Sequence, residues 1–167
     1  MEASPAAPVG QSRSALIGAA IAGGGGVLLL ISLFLEWYSV PGSDLLDSGL
    51  GDVIKDIGGA VGFDAEDAVR LTGWEAFEIT DIVCAAAAAI AVTRAAVALV
   101  GEPDNPTIPG SILTLAFGGI ALALVLYRVV NPPYVGMNRE LGVWVGLLSA
   151  GTIVYGSFIA MRSDRAG

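Results

Sequence analysis

The sequence predicts an all-α membrane protein: a transmembrane four-helix bundle with a small acidic outer loop subdomain between its first two spans. Three observations lead there. Ala15–Leu35, ALIGAAIAGGGGVLLLISLFL, carries no charge, and about twenty such residues cross a hydrocarbon core of ~30 Å at ~1.5 Å rise per residue. Three further stretches match it, giving spans at about 15–36, 74–100, 108–130 and 141–161. The composition agrees: 54% of the 167 residues are hydrophobic and only 14% charged, where soluble domains average about 25% charged.

Residues 1–13 form the first segment. Met1–Ser12, MEASPAAPVGQS, lacks periodicity and is expected to be a disordered cytoplasmic tail. Span 1 reads as a retained signal anchor, because its apolar run exceeds a cleavable h-region and Glu36-Trp37-Tyr38 follows it instead of a small-residue site. Inside it lies Gly23-Gly24-Gly25-Gly26. Lipid offers the backbone no partner, so helix is enforced despite the glycines. Gly18, Ala22 and Gly26 recur every fourth residue, a small-xxx-small stripe for close helix packing or, in a functional reading, a backbone-lined pathway or hinge. Trp37 and Tyr38 are expected at the headgroup level, with Pro41-Gly42 ending the helix.

The outer loop, 39–73, follows. Ser43–Gly58 spaces Leu46, Leu50, Val53, Ile54 and Ile57 as one face of a short amphipathic helix capped by Ser43. A further turn is expected from Asp64. Thr72-Gly-Trp-Glu75 has the pattern of a capping box and opens span 2, with Trp74 and Phe77 at the interface. Ala85–Ala89 makes that span thin. Gly101-Glu-Pro103-Asp-Asn-Pro106 turns the chain, so spans 2 and 3 are expected as antiparallel neighbours. Thr107 is the expected cap of span 3, with Pro109 in its first turn, and Asn131-Pro132-Pro133 stops it. Span 4 carries a second small-residue stripe, Gly142, Gly146 and Ala150, with Trp144 at its outer end. Residues 163–167 form a cytoplasmic tail.

The net charge is −8 and unevenly placed. Ser39–Phe77 holds Asp44, Asp47, Asp52, Asp56, Asp64, Glu66, Asp67 and Glu75 against Lys55 and Arg70. Repulsion excludes nucleic acid as a partner and favours a cation or a basic protein. Arg13, flanking span 1, sets both termini in the cytoplasm with Arg94, Arg162 and Arg165. Lys55, Arg70, Arg128 and Arg139 then fall outside, an even balance.

Charges near spans are the candidate sites. The outer rim places Glu36, Glu75, Glu78 and Asp81 opposite Arg128 and Arg139, either as a cation-attracting vestibule or as ion pairs tying span 2 to spans 3 and 4. Arg94 lies ~20 Å deeper than Asp81 along span 2 and is expected to snorkel to the cytoplasmic headgroups, with a buried pairing as the alternative. Asp64, Glu66 and Asp67 lack calcium-loop spacing, and Cys84 reads as a packing residue. The chain has no histidine and one cysteine. Catalytic, cofactor-binding and metal residues are therefore expected to be absent, and no enzyme chemistry is foreseen.

Leu35-Glu36-Trp37-Tyr38-Ser39 after span 1, Gly73-Trp74-Glu75-Ala76-Phe77 leading to Asp81, and Ala160-Met161-Arg162 at the end form an ordered set. With them the chain resembles the small, uncharacterised four-span membrane proteins widespread in actinobacteria. The resemblance covers most of the chain, implies this topology and a bacterial plasma membrane, and brings no activity. Claudin-type proteins share a tryptophan after span 1, but their loop cysteines are missing here. Small multidrug transporters hold a glutamate inside span 1, whereas Glu36 ends it. Two readings follow. The first is a non-enzymatic structural or interaction protein showing its acidic loop to a protein partner outside the lipid bilayer. The alternative is a subunit of a small transporter or channel, a homo-oligomer through the glycine faces with a cation-attracting vestibule.

Overall fold

The computed structural model describes residues 13–40, 69–76, 80–101, 109–132 and 137–164. In chain order they form α1 (Arg13–Leu33), β1 (Glu36–Val40), β2 (Val69–Thr72), α2 (Gly73–Ala76), α3 (Thr80–Val100), α4 (Gly110–Val130), β3 (Asn138–Arg139) and α5 (Leu141–Asp164). Helices α1, α3, α4 and α5 are each long and apolar enough to cross a bilayer. The chain is a multi-pass membrane protein built as a four-helix bundle, as the hydropathy pattern predicts. The expected tail 1–12, the amphipathic segment 43–58 and the turn at Asp64 lie outside the described residues.

Each helix ends where its sequence stops supplying i−4 partners. After α1 the amides of Phe34 and Leu35 donate to Ile31 and Ser32 carbonyls, both at 3.1 Å, tightening the last turn. Span 1 therefore closes at Leu33, three residues short of the expected Glu36, because the chain leaves the helix to become a strand. Helix α3 ends on Gly101, whose φ of +78° is open to glycine at little cost. Span 2 is expected from 74; α2 and α3 cover Gly73–Ala76 and Thr80–Val100, and residues 77–79 lie outside the described residues. Helix α4 begins at Gly110, with Pro109 in the capping position and not in the first turn. The Pro109 carbonyl accepts from Ile112 at 3.0 Å and Leu113 at 3.4 Å, and Thr107 lies outside the described residues. Helix α5 runs on to Asp164, past the expected end of span 4 at 161.

The helices pack in a ring: α1 between α3 and α5, and α4 between the same two on the far side. The α1–α5 seam is the most extensive and is backbone against backbone. A methyl on Gly18 would stand 2.6 Å from the Ala160 amide nitrogen, one on Gly25 2.9 Å from that of Ile153, and one on Gly156 2.5 Å from that of Ala22. Rising numbers in α1 meet falling numbers in α5, so the pair is antiparallel. Gly26 turns the other way, 2.8 Å from the Ala88 carbonyl, and Gly23 meets the Ala95 methyl. The core between the helices is filled by Leu29, Leu33, Val125, Val143 and Ile153, with alanines 87, 88, 91 and 121. Buried hydroxyls return to their own helices: Ser149 to Val145, Ser157 to Ile153 and Thr114 to Gly110, at 2.6, 2.7 and 2.8 Å.

One end of this bundle is closed by a three-stranded antiparallel sheet in the order β2-β1-β3, which the sequence reading did not foresee. β1 pairs with β2 from Glu36↔Thr72 to Val40↔Val69, and with β3 through Tyr38↔Arg139 and Ser39↔Asn138. The β1–β2 register slips between Glu36 and Tyr38, a bulge at Trp37. In a regular strand neighbouring side chains point to opposite faces. The extra residue breaks that alternation, and Trp37 and Tyr38 are both fully buried.

Candidate functional site

The sheet end gathers most of the polar side chains that the spans themselves lack. Trp37 enters between the end of α1 and the start of α5. Its Nε1 donates to the Ser32 carbonyl at 2.6 Å. Gly142 and Gly146, one turn apart on α5, leave the slot its ring fills: methyls there would stand 2.5 Å from Cδ1 and 2.9 Å from Cζ2. Gly73, at the β2–α2 junction, passes the indole nitrogen and the Leu33 backbone in the same way. Trp37 and Tyr38, expected at the headgroup level, are fully covered by protein. Both belong to the core, because the glycines of α5 make room there.

β1 and β3 also cap α4. The Tyr38 hydroxyl donates to the Arg128 carbonyl at 2.8 Å, and Arg139 Nε donates to the Val129 carbonyl at 2.6 Å. Asn131 covers the Tyr127 carbonyl with its backbone amide at 2.8 Å. Three of the four carbonyls that a helix leaves open at its C-terminus are met, and the Arg139 guanidinium suits the negative end of the dipole. Burial pushes the Tyr38 phenol above its ordinary 10.0, while Arg128 and Arg139 pull it back. At the start of α5 the Ser39 hydroxyl donates to a Glu140 carboxylate oxygen at 2.5 Å, and the Glu140 amide donates to the Trp37 carbonyl at 2.9 Å.

Of the expected rim cluster, the structure places Glu36 in β1, Asp81 in the first turn of α3, Arg128 in the last turn of α4 and Arg139 in β3. Arg128 lies near its neighbour Tyr127, with its guanidinium carbon 5.9 Å from that ring. Asp81 is buried and accepts the Ile82 amide at 2.8 Å, a helix-starting role that suits a carboxylate. Glu78 and the Glu75 side chain lie outside the described residues. Arg94 sits in the α3–α4 seam with its guanidinium laid on Gly110, where any Cβ would collide with it. Gly110 opens α4, so Arg94 meets the neighbouring helix at its first residue.

The small-residue stripes are redistributed. Gly18 and Ala22 serve α5, Gly26 serves α3, and Gly142 and Gly146 serve Trp37; Ala150 is buried in α5. Ser32, Glu140 and Gly156 have no part in the sequence expectations, and Ser39 enters them only within the Leu35–Ser39 motif. Only Glu140, an acid directly before an apolar run, carried a local signal. Among the described residues no three His, Cys, Asp or Glu side chains converge as a metal site would need. No family model, curated protein or solved structure matches the chain.

Proposed function

We propose that this is a non-enzymatic interaction protein that presents residues 41–68 as an acidic loop on a membrane-embedded pedestal. The observation that carries the reading is the pairing of Val40 with Val69. The segment between them leaves and returns at adjacent positions of one sheet, and that sheet is fastened to α1, α4 and α5. This loop holds Asp44, Asp47, Asp52, Asp56, Asp64, Glu66 and Asp67 against Lys55 alone. A rigid base carrying a segment of one charge sign supports recognition of a basic protein surface. The setting proposed is a bacterial plasma membrane with both termini in the cytoplasm, as in the actinobacterial four-span proteins it resembles. The backbone-close α1–α5 and α1–α3 seams support a static bundle over a transport path.

Photo-crosslinking in the native host tests this. A crosslinker at Asp52 or Asp56 is expected to yield a protein adduct that disappears when the loop aspartates are changed to asparagine. A crosslinker at lipid-facing Leu148 is expected to yield none. Loop positions that give no protein adduct would sink the proposal. A variant joining Val40 to Val69 through Asn-Gly separates recognition from folding, since a two-residue turn suits an antiparallel pair. With the loop and its crosslinking positions gone, it should keep the unfolding midpoint of the full chain.

A further inference from the structure

Four aromatic side chains are exposed at the sheet end: Phe34 (70%), Trp74 (40%), Tyr127 (58%) and Trp144 (46%). They come from four different places. Phe34 follows α1, Trp74 belongs to α2, Tyr127 lies in the last turn of α4 and Trp144 in the first turn of α5. The fold brings them to one level. The Phe34 and Trp74 rings touch, with centroids 5.9 Å apart and planes at 58°. Trp144 lies between Gly142 and Gly146, which pack on Glu36, Ser32 and Trp37. Tyr127 adjoins Arg128, whose carbonyl takes the Tyr38 phenol. All four therefore stand within one to two helical turns of β1, roughly 5–11 Å. Toward the bundle centre the exposed side chains on the same helices turn aliphatic: Ile31, Leu126 and Leu148.

We infer that Phe34, Trp74, Tyr127 and Trp144 form a girdle that contacts the lipid headgroup layer, and that the bilayer ends at this level with the sheet just beyond it. The rings of Trp74, Tyr127 and Trp144, each an apolar body with a polar tip, partition to that layer, Phe34 packs against Trp74, and the aliphatic surface beneath continues into the hydrocarbon. The inference concerns where the chain sits in lipid and stands whether or not the acidic loop has a partner. It divides the three tryptophans by environment. Trp74 and Trp144 meet headgroups. Trp37, a few residues from Phe34, meets neither lipid nor water.

Fluorescence quenching in phosphatidylcholine vesicles tests this division. The full chain and the variants W74F, W144F and W74F/W144F, all retaining Trp37, are reconstituted with lipid spin-labelled near the headgroup or at the chain end. Emission lost on removing Trp74 or Trp144 is expected to be quenched about twofold more by the headgroup-side label than by the chain-end label. The double variant, reporting Trp37, is expected to respond to neither label nor to aqueous iodide. Quenching of Trp74 and Trp144 by iodide with no response to lipid labels would overturn the girdle, as would stronger quenching by the chain-end label. Circular dichroism of each variant establishes that the bundle is retained, and the single variants carry the comparison if the double variant does not fold.

Discussion

An alanine scan across Gly23-Gly24-Gly25-Gly26 separates the packing described above from a merely flexible glycine run. At Gly25 a methyl would lie 2.9 Å from the Ile153 nitrogen and 3.0 Å from the Ser149 carbonyl oxygen; at Gly26 it would lie 2.8 Å from the Ala88 carbonyl oxygen. These are backbone atoms of α5 and α3, which cannot rotate aside. At Gly23 the obstacle is the Ala95 methyl, fixed to its helix. Comfortable contact needs ~3.5–4.0 Å, so the seams must open by roughly 0.6–1.2 Å at Gly25 and Gly26 and by more at Gly23, at a cost of about 1–3 kcal/mol for each overpacked position. Gly24 has nothing within 4 Å. Alanine there adds only helix preference, up to ~1 kcal/mol in favour of the folded state.

The assay is reversible unfolding in mixed detergent micelles, followed by circular dichroism. G23A, G25A and G26A are expected to lose stability by ~1–3 kcal/mol each, and G24A to hold or gain. If G24A loses as much as G25A, or if all four variants behave alike, the assignment of the tetrad to two opposed seams is wrong.

Two further outcomes follow from single contacts. Y38F removes the hydroxyl that meets the Arg128 carbonyl and should cost ~0.5–1.5 kcal/mol at neutral pH. The phenol's pKa is raised by burial above 10.0, so its contribution is full below the unfolded value and is lost as pH rises through the folded one. Alkaline unfolding curves of Y38F should lack that loss, and an unchanged alkaline slope would count against the buried phenol. G110A places a methyl where the Arg94 guanidinium lies. It should destabilise the chain alone yet be nearly neutral in an R94A background, a coupling of ~0.5–3 kcal/mol. Additive effects of the two substitutions would show that Arg94 rests elsewhere.

The spans were legible because lipid imposes one simple demand, about twenty apolar residues in a row, and each helix meets it alone. The seams were only half legible. Reading Gly18, Ala22 and Gly26 as one stripe assumed one partner, but α1 lies between two helices. It turns Gly18 and Gly25 to α5 and Gly23 and Gly26 to α3, and nothing in the sequence says which helix stands where. The sheet was hidden for a different reason. Trp-Tyr after an apolar run is the ordinary mark of a membrane interface. Its burial here depends on two glycines in α5 and on a return strand beyond the whole outer loop. Val69–Thr72, VRLT, and Trp37–Val40, WYSV, do favour strand by residue type, but such short stretches do not name their partners.

The same sheet explains how the loop is tolerated at all. Carbonyls left open at the ends of spans cost several kcal/mol each when lipid is their only surrounding. At this end side chains of the strands meet them: Tyr38 donates to Arg128 and Arg139 to Val129, while Trp37 adds a second donor to the Ser32 carbonyl that Leu35 already occupies. The sheet therefore serves the bundle in its own right, and residues 41–68 hang from a structure that the helices already require. Tyr38 and Arg139 therefore matter to the stability of α4 whatever residues 41–68 meet outside the bundle.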